Sequence, residues 1–466
     1  MVFSSEIFLF FFLPAVLIGY FALMRTVAAK NAFLCLASLF FYAWGEPHVV
    51  LVMLGSIVAN WLFALRIAKS RSRCLAALVV CFNIAVLVAF KYIPFLTRNI
   101  NALFSADLPV PDIKLPIGIS FFTFQALSYV LDVYRGSVAA QKSIVKMGLY
   151  ISLFPQLVAG PIVRYSDIAR QIDSRTVAVD DVVAGVRRFV TGLAKKVLLA
   201  DRLAELADFY FDAPVADFAS LPVTGLWIGA VAYSFQIFFD FSGYSDMAIG
   251  LGRMFGFRFM ENFNRPYSAA SISDFWRRWH ISLSKWFRDY VYIPLGGNRV
   301  GKLRHFVNLF VVWALTGLWH GANWTFVLWG LGYFVLLVAE KSIDRSRWPK
   351  FIGLLARPYT LACVALLWVL FRAENLSVCC RYICGMFGAN GNPFYAGVVC
   401  GQALEYGAWM AAACLVCSDG FLKLREKFAV GPVKAFLGDL WLVVIFVLSV
   451  AAIANSSYSP FIYFNF

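Results

Sequence analysis

Two histidines and a cluster of basic and aromatic residues are the parts of this sequence most able to do chemistry. The stretch 274–299, DFWRRWHISLSKWFRDYVYIPLGGNR, contains His280, and a second histidine, His320, lies downstream in WHGAN (319–323). An imidazole exchanges protons near neutral pH, and arginine binds phosphate or carboxylate through paired hydrogen bonds. This combination indicates proton transfer beside a site for an anionic ligand.

The local pattern predicts one helix through the first stretch. The helix would begin at the capping-box sequence SISD (271–274) and end before the Pro and Gly residues at 294–297. Helical spacing puts the polar residues of the stretch on one face and its tryptophans on another. That polar face consists of Arg277, His280, Ser284 and Arg288.

Two interpretations of this helix are open. It could lie in the inner headgroup layer with its arginines on lipid phosphate. Alternatively its polar face lines a pocket in which Arg277, Arg278 and Arg288 hold an anionic ligand.

The apolar run 306–340 places the second histidine at depth in a membrane. Basic residues flank both ends, so the chain should enter the membrane and return. A break at HGAN (320–323) leaves a first leg of about 14 residues, or roughly 21 Å, which is shorter than the roughly 30 Å hydrocarbon core. A histidine at that depth favours a polar cavity with chemistry or transport in it, with Asn323 as a supporting polar residue. The alternative is a neutral histidine bonded to a backbone carbonyl; His48 and His305 lack this context.

A third polar cluster lies in YSFQIFFDFSGYSDMAIG (233–250). Gln236 and Asp240 share one helical face, and Asp246 follows a glycine-containing segment. Carboxylates at this depth should face a partner or a cavity. They could orient a histidine or pair with arginines of the next segment, and the sequence leaves both alternatives open.

The composition excludes a soluble globular protein. Of 466 residues, 61% are hydrophobic and only 14% are charged, and the net charge of +15 is expected in cytoplasmic loops. Nucleic-acid binding is therefore a poor interpretation of the charge. The ten cysteines show no zinc-site spacing, and those at 379–384 and 414–417 are expected to be small core residues.

These observations predict an all-α polytopic membrane protein with about eleven membrane helices around a central polar funnel or tunnel. We expect one domain over 1–466, both termini outside, and broken or re-entrant segments at 101–120 and 153–165. Residues 186–202 should form an amphipathic helix on the inner face, with Arg187, Arg188, Lys195 and Lys196 on its polar side. The segment 253–305, with ten basic and three acidic residues, should face the cytoplasm.

In these motifs the sequence resembles the membrane-bound O-acyltransferase family, in particular the bacterial branch typified by the alginate O-acetylation membrane protein. The resemblance rests on residues 277–299 and 319–330, and on FFTFQALSYVLDVYRG (121–136), PQLVAGPIVRY (155–165), 233–250 and FIYFNF (461–466). It covers nearly the whole chain. The family's two hallmark polar positions map onto His320 and His280.

The resemblance implies a reaction and its participants. His320 would be the base in acyl transfer from a thioester to a hydroxyl, and His280 a positioning or polarising group nearer the cytoplasm. Acetyl-coenzyme A would be the donor substrate, with no permanently bound cofactor or metal. A periplasmic acetyltransferase, or an exported glycan itself, would receive the acetyl group from an enzyme of the bacterial inner membrane.

Three alternatives to this function stay open. The branch that transfers D-alanine to teichoic acids shares the RWH helix, although YIPLGGNR (292–299) favours polysaccharide acetylation. A transporter or channel without catalysis would show paired inverted halves, and the sequence has no such symmetry visible by eye. A glycan polymerase or flippase would not need the WHG motif.

Overall fold

The computed structural model describes residues 1–45, 47–214, 217–342, 350–418, 420, 432–455 and 461–462. The helices in chain order are α1 Phe8–Leu23, α2 Val27–Ala43, α3 Val49–Ser70, α4 Arg73–Lys91, α5 Ile93–Phe104, α6 Ile119–Arg135, α7 Ile144–Ser152, α8 Tyr165–Asp173, α9 Val179–Ala194, α10 Asp201–Phe211, α11 Val223–Met254, α12 Ile272–Arg278, α13 Ile281–Phe287, α14 Lys302–His320, α15 Trp324–Ser342, α16 Lys350–Arg372, α17 Leu376–Met386, α18 Gly397–Cys417 and α19 Pro432–Asn455. A π-helical turn, Lys195–Ala200, joins α9 to α10, and another, Arg288–Tyr292, follows α13.

The predicted all-α polytopic architecture is confirmed. Among the described residues, seven helices are long and apolar enough to cross a membrane: α3, α4, α11, α15, α16, α18 and α19. Three shorter apolar helices, α1, α2 and α17, accompany them. Of the C-terminal FIYFNF motif, only Phe461 and Ile462 lie within the described residues.

The described residues group into two compact units, apart from the C-terminal end. The first unit comprises 1–193 and 244–261, and the second comprises 194–243 and 262–452. Helix α11 therefore starts in the second unit and ends in the first. The prediction of one domain over 1–466 stays a prediction.

The first unit contains both predicted broken segments. Residues 105–118 are non-helical and lead into α6 at Gly118, whose φ is +75°, and residues 153–164 follow α7 without helical structure. Nearly all of 153–163 is buried, and Gln156 donates from its Nε2 to the Tyr150 carbonyl at 2.6 Å. Irregular backbone inside a membrane protein is tolerated where the rest of the protein covers it, and the buried residues 153–163 meet this condition.

In the second unit, α14 and α15 form the helix pair expected from the run 306–340. The helical structure breaks at Gly321–Asn323, as predicted for 320–323. Glycines let the two backbones touch: a Cβ on Gly330 would lie 2.4 Å from the Trp313 carbonyl oxygen, and one on Gly317 would lie 2.5 Å from that of Phe326. Small residues that allow close approach are how helices associate in lipid, where the hydrophobic effect between them is weak.

The expectation for residues 186–202 is wrong in one respect. Lys196, assigned to the polar side of an amphipathic surface helix, is only 2% exposed and lies 2.8 Å from Asp240 and 2.6 Å from Asp201. Burial alone would lower the pKa of this lysine, but the two carboxylates raise it above its ordinary value. The hydropathy pattern could not distinguish a lysine that faces lipid headgroups from one that forms an internal ion pair.

The cysteine expectation also needs correction. Cys379 is buried, but Cys380, Cys384 and Cys414 are exposed and Cys417 is half-buried. Within a protein of this class an exposed, small and weakly polar side chain can face lipid, so apolar flanking sequence did not imply a position in the core.

Candidate active site around two buried histidines

The predicted continuous helix through 274–292 is wrong, because the chain breaks beside the first histidine. Helix α12 ends at Arg278, Trp279 is extended, and His280 has the left-handed φ of +43°. The backbone N–H of Ile281 donates to the Asn262 carbonyl at 2.9 Å instead of to a helical acceptor. A second helix, α13, then starts from His280. The predicted cap at Ser271 is confirmed, since its hydroxyl accepts from the Asp274 N–H at 3.0 Å.

Asn262 holds His280 in one tautomer. The Asn262 Oδ1 accepts from the Ser282 backbone N–H at 3.2 Å and from the Ser282 hydroxyl at 2.9 Å, so this amide atom is an oxygen. The same oxygen lies 3.1 Å from His280 Nδ1. Because an amide oxygen can only accept, Nδ1 must carry the proton, and Nε2 of the neutral ring keeps its lone pair.

The environment keeps His280 uncharged. Its side chain is fully buried, and the Phe241 ring packs edge-on at 4.7 Å between centroids. Burial lowers the pKa of His280 from 6.5 to about 3. At neutral pH this histidine is therefore a hydrogen-bonding group with an available lone pair and a weak base.

His320 is the last residue of α14 and is enclosed by aromatic rings. It is 2% exposed, and its ring meets those of Trp319, Trp329 and Phe371 edge-to-face at 4.8, 4.9 and 5.3 Å. The break after α14 places it at a helix end, beside Gly321, as the sequence predicted.

One tryptophan links the two histidines. The centroid of the Trp319 ring lies 5.9 Å from the centroid of the His280 ring and 4.8 Å from that of the His320 ring. The separation of the two imidazole centroids therefore cannot exceed these two distances added together. The structure thus brings together the two histidines that the sequence singled out. Around them is a set of buried rings that we call the aromatic cluster: Trp276, Trp319, Trp329, Tyr333, Trp368 and Phe371.

The three predicted anion-binding arginines lie in different environments. Arg277 is exposed at the end of α12. Arg278 is held by Asp274 at 3.0 Å and by the Ser268 hydroxyl at 3.3 Å. Arg288 is exposed and bonds to its neighbour Asp289 at 2.7 Å. Because the helix breaks at His280, the single polar face expected for a continuous helix does not form.

Ser284 and Asn323, two of the other polar residues predicted near this site, form structural hydrogen bonds. The Ser284 hydroxyl donates to the Trp276 carbonyl at 3.3 Å. Asn323 accepts from the Thr325 N–H at 3.2 Å and donates to the Glu374 carbonyl at 2.8 Å, which ties the start of α15 to the end of α16. Gln236 is buried on α11, one turn before Asp240.

The two carboxylates of α11 both pair with cations of the preceding segment, and pairing with arginines of the following segment stays a prediction. In the second unit Asp240 pairs with Lys196 at 2.8 Å. In the first unit Asp246 pairs with Arg188 at 2.5 Å, and Arg188 also binds Glu261 at 2.6 Å. Whether either carboxylate orients a histidine stays open.

Sequence reasoning missed several residues that build the site. Asn262 lies in the basic segment 253–305 without a motif to mark it, and Glu340 lies near the end of α15. The Glu340 carboxylate accepts from the Ile272 and Ser273 N–H groups at 2.8 and 3.1 Å, and so caps the start of α12. A lone acidic residue at the end of an apolar run was the available signal for Glu340.

One cavity in the second unit is not lined by any of the predicted site residues. Its volume is about 470 Å³, and its walls come from α11, α16, α18 and the turn Pro266–Ser268. Apolar side chains such as Leu361 and Val364 dominate its lining, and neither histidine belongs to it.

Comparison with known proteins gives consistent results. The family model of the membrane-bound O-acyltransferases matches residues 121–382. A probable alginate O-acetylase of Pseudomonas aeruginosa is 44% identical over 83% of this chain and 75% of its own. The corresponding protein of Azotobacter vinelandii is 38% identical over the full length of both chains. A peptidoglycan O-acetyltransferase of Helicobacter pylori is 37% identical over 84% of this chain and 80% of its own.

Proposed function

This chain belongs to the membrane-bound O-acyltransferase family and is a multi-pass membrane O-acyltransferase, and from that premise we propose that it transfers acetyl groups from acetyl-coenzyme A for O-acetylation of an exported, alginate-like polysaccharide. The acceptor class is suggested by relatives named as O-acetylases of alginate and peptidoglycan. The observation that carries the proposal is the pair of buried histidines linked by Trp319.

His320 is the proposed base. Transfer to a hydroxyl requires a group that removes the hydroxyl proton as the oxygen attacks the acyl carbon. Histidine is the side chain that most often serves as such a base in enzymes. Enclosure by Trp319, Trp329 and Phe371 supports this role, because water excluded from the ring competes neither for its nitrogen nor for the acyl group.

His280 is the proposed positioning group. Its proton sits on Nδ1 against Asn262, so Nε2 is able to accept a hydrogen bond. Its low pKa makes it a poor competitor for the proton that the base removes. Nε2 of His280 therefore orients the acceptor by accepting a hydrogen bond from a neighbouring hydroxyl of the acceptor, while the reacting hydroxyl passes its own proton to His320.

The reaction balances with these two groups. The hydroxyl oxygen forms a bond to the acyl carbon as its proton moves to His320. The carbon–sulfur bond then breaks, the sulfur leaves with the bonding electron pair, and it takes the proton back from the imidazolium. An ester and free coenzyme A are the products, and the histidine regains its starting state.

The proposed location is the bacterial inner membrane, with both termini in the periplasm and the basic segment 253–305 in the cytoplasm. Arg277, which is exposed, is the best placed of the three arginines to meet the phosphates of a cytoplasmic donor. Arg278 and Arg288, which are already bonded to carboxylates, would contribute less. A periplasmic acetyltransferase that passes the acetyl group to the glycan is the proposed partner.

The test uses purified protein in detergent with acetyl-coenzyme A, the proposed periplasmic partner and a mannuronate oligosaccharide, and measures release of coenzyme A and ester formation. His320→Gln keeps a hydrogen-bonding amide but cannot act as a base, so kcat should fall on the order of 10²- to 10⁴-fold. His305→Gln, the matched control at a histidine 3.5 Å from the Lys341 ammonium, should retain activity. Arg277→Ala should raise KM for acetyl-coenzyme A with little change in kcat.

Each part of the proposal can fail separately. A folded His320→Gln protein with near wild-type kcat would remove His320 as the base. An unchanged KM in Arg277→Ala would assign that arginine to lipid phosphate. Failure of the wild-type protein to consume acetyl-coenzyme A with acceptor present would refute the proposed donor.

A further inference from the structure

Among the buried hydrogen-bond donors of the aromatic cluster, those of Trp276, Trp329 and Tyr333 have no acceptor in the described part of the chain. Trp329 and Tyr333 are 0% exposed and Trp276 is 8% exposed. Within the part of the chain that the structure describes, the Trp276 Nε1, Trp329 Nε1 and Tyr333 hydroxyl form no hydrogen bond. Buried polar groups are normally satisfied, so three such groups in one cluster require an explanation.

The three side chains touch one another and reach the base. Tyr333 lies 4.9 Å from Trp276 and 5.2 Å from Trp329, and the two tryptophans are 5.7 Å apart. Trp329 in turn meets the His320 ring at 4.9 Å. Trp329 and Tyr333 lie one helical turn apart on α15, and Trp276 comes from α12. Two separate elements thus bring these three donor-bearing rings into contact.

The chemistry of these groups restricts what they can bind. An indole N–H can only donate, and a tyrosine hydroxyl donates when an acceptor is present. All three groups are neutral at ordinary pH, unlike the arginines that proteins use for phosphate. The ligand they suit is a neutral carbonyl oxygen, which accepts hydrogen bonds and gains negative charge during acyl transfer.

We propose that Trp329 and Tyr333, with Trp276 beside them, bind the carbonyl oxygen of the acyl group and stabilise its negative charge during transfer. This inference rests on the proposed function, since it takes His320 as the base. As the acceptor oxygen attacks, the carbonyl π electrons move onto the carbonyl oxygen, where the donors bind it. When these electrons re-form the double bond, the thiolate leaves and takes the proton from His320.

The arrangement also accounts for the unsatisfied donors in the resting protein. A buried donor without an acceptor costs about 1–3 kcal/mol. A site that binds an oxyanion more tightly than a carbonyl keeps its donors in place before the charge develops. A structural role would instead give each donor a permanent acceptor, as the Trp227 Nε1 has in the Met386 carbonyl at 2.9 Å.

The test compares Tyr333→Phe and Trp329→Phe in the coenzyme A release assay, together with melting temperatures. Tyr333→Phe removes only the hydroxyl, and Trp329→Phe removes the N–H while keeping an aromatic ring. Loss of one oxyanion donor lowers kcat on the order of 10²- to 10³-fold. KM for acetyl-coenzyme A should change little, and Tyr333→Phe should melt no lower than wild type, because it removes an unsatisfied group.

Trp313→Phe is the matched control for ring size. Trp313 packs on Trp276 at 4.7 Å and on Tyr333 at 5.4 Å, so the substitution opens a similar gap in the same cluster. Its kcat should stay near wild type, and Trp329→Phe should melt no lower than this control. Near wild-type kcat in both Tyr333→Phe and Trp329→Phe would overturn the proposal, as would activity losses that only follow a loss of melting temperature.

His320→Gln separates this inference from the function on which it rests. An active His320→Gln protein would refute the proposed base, whatever the donor variants do. An inactive His320→Gln protein beside fully active donor variants would leave the base in place and refute the oxyanion site alone.

Discussion

Replacing Lys196 by Met should destabilise the protein strongly, because it leaves a buried carboxylate without its cation. Lys196 and Asp240 are each 2% exposed and lie 2.8 Å apart. Removing one partner of a buried ion pair costs about 3–5 kcal/mol, since the charge left behind has lost both water and counter-ion. Asp201, the second partner of Lys196, is 23% exposed and can be hydrated, so Asp240 dominates the cost.

The three-residue arrangement sets an order among variants. Asp240→Asn leaves Lys196 its 2.6 Å contact with Asp201, so it should cost less than Lys196→Met. The double variant Lys196→Met/Asp240→Asn leaves no fully buried charge isolated, since the remaining Asp201 is partly exposed, so it should be more stable than Lys196→Met alone. Lys146→Met is the matched control: Lys146 also lies 2.6 Å from a carboxylate, that of Asp173, but this pair is 33% and 59% exposed.

Melting of the detergent-purified proteins, followed by the fluorescence of the 14 tryptophans, would give this order directly. Exposed pairs contribute about 0–1 kcal/mol, so Lys146→Met should melt close to wild type. If Lys196→Met melted as Lys146→Met does, or if adding Asp240→Asn lowered stability further, burial of the pair would not control its contribution.

Two further predictions concern pH and topology. The pKa of His280 is about 3 in the folded protein and 6.5 in the unfolded chain, so the unfolded state binds the proton first as pH falls. The contribution of His280 to the stability of the fold should therefore be greatest above pH 6.5 and about 2 kcal/mol lower at pH 5. His280→Asn should flatten this pH dependence in melting measurements. A reporter fused at residue 70 or 300 should report a cytoplasmic location, and one at the C-terminus a periplasmic location. A periplasmic signal at residue 300 would contradict the charge argument, since the ten basic residues of 253–305 would then lie outside.

The sequence predicted the features that depend on local pattern. The break after His320 followed from the length of 306–340 compared with the membrane, and the structure ends α14 at that residue. The cap at Ser271 and the turn at 294–297 followed from short-range residue preferences. These signals are contained within a few residues, so they do not require knowledge of distant contacts.

Features that depend on contacts distant in sequence were missed. Helical spacing put Arg277 and His280 on one face, but the chain leaves the helix between them because Asn262 supplies a backbone carbonyl to Ile281 and an amide oxygen to His280. The internal pair of Lys196 and Asp240 joins residues 44 positions apart, and a hydropathy pattern reports only that each residue is polar. Tertiary contacts override local preference in both places.

The break at His280 is itself an argument that this position is functional. A left-handed histidine is uncommon, and a sparsely populated backbone conformation costs about 1–3 kcal/mol and persists only when its surroundings hold it. Four interactions with Asn262, one each from Ile281 and His280 and two from Ser282, hold this one. The result is an exposed Arg277 and a fully buried His280 three residues later, a change of environment that an unbroken helix could not give at that spacing. A membrane-surface helix alone would gain nothing from the strain, whereas the proposed transfer, with a phosphate-rich donor at the surface and an acyl group in a dry interior, would use this separation.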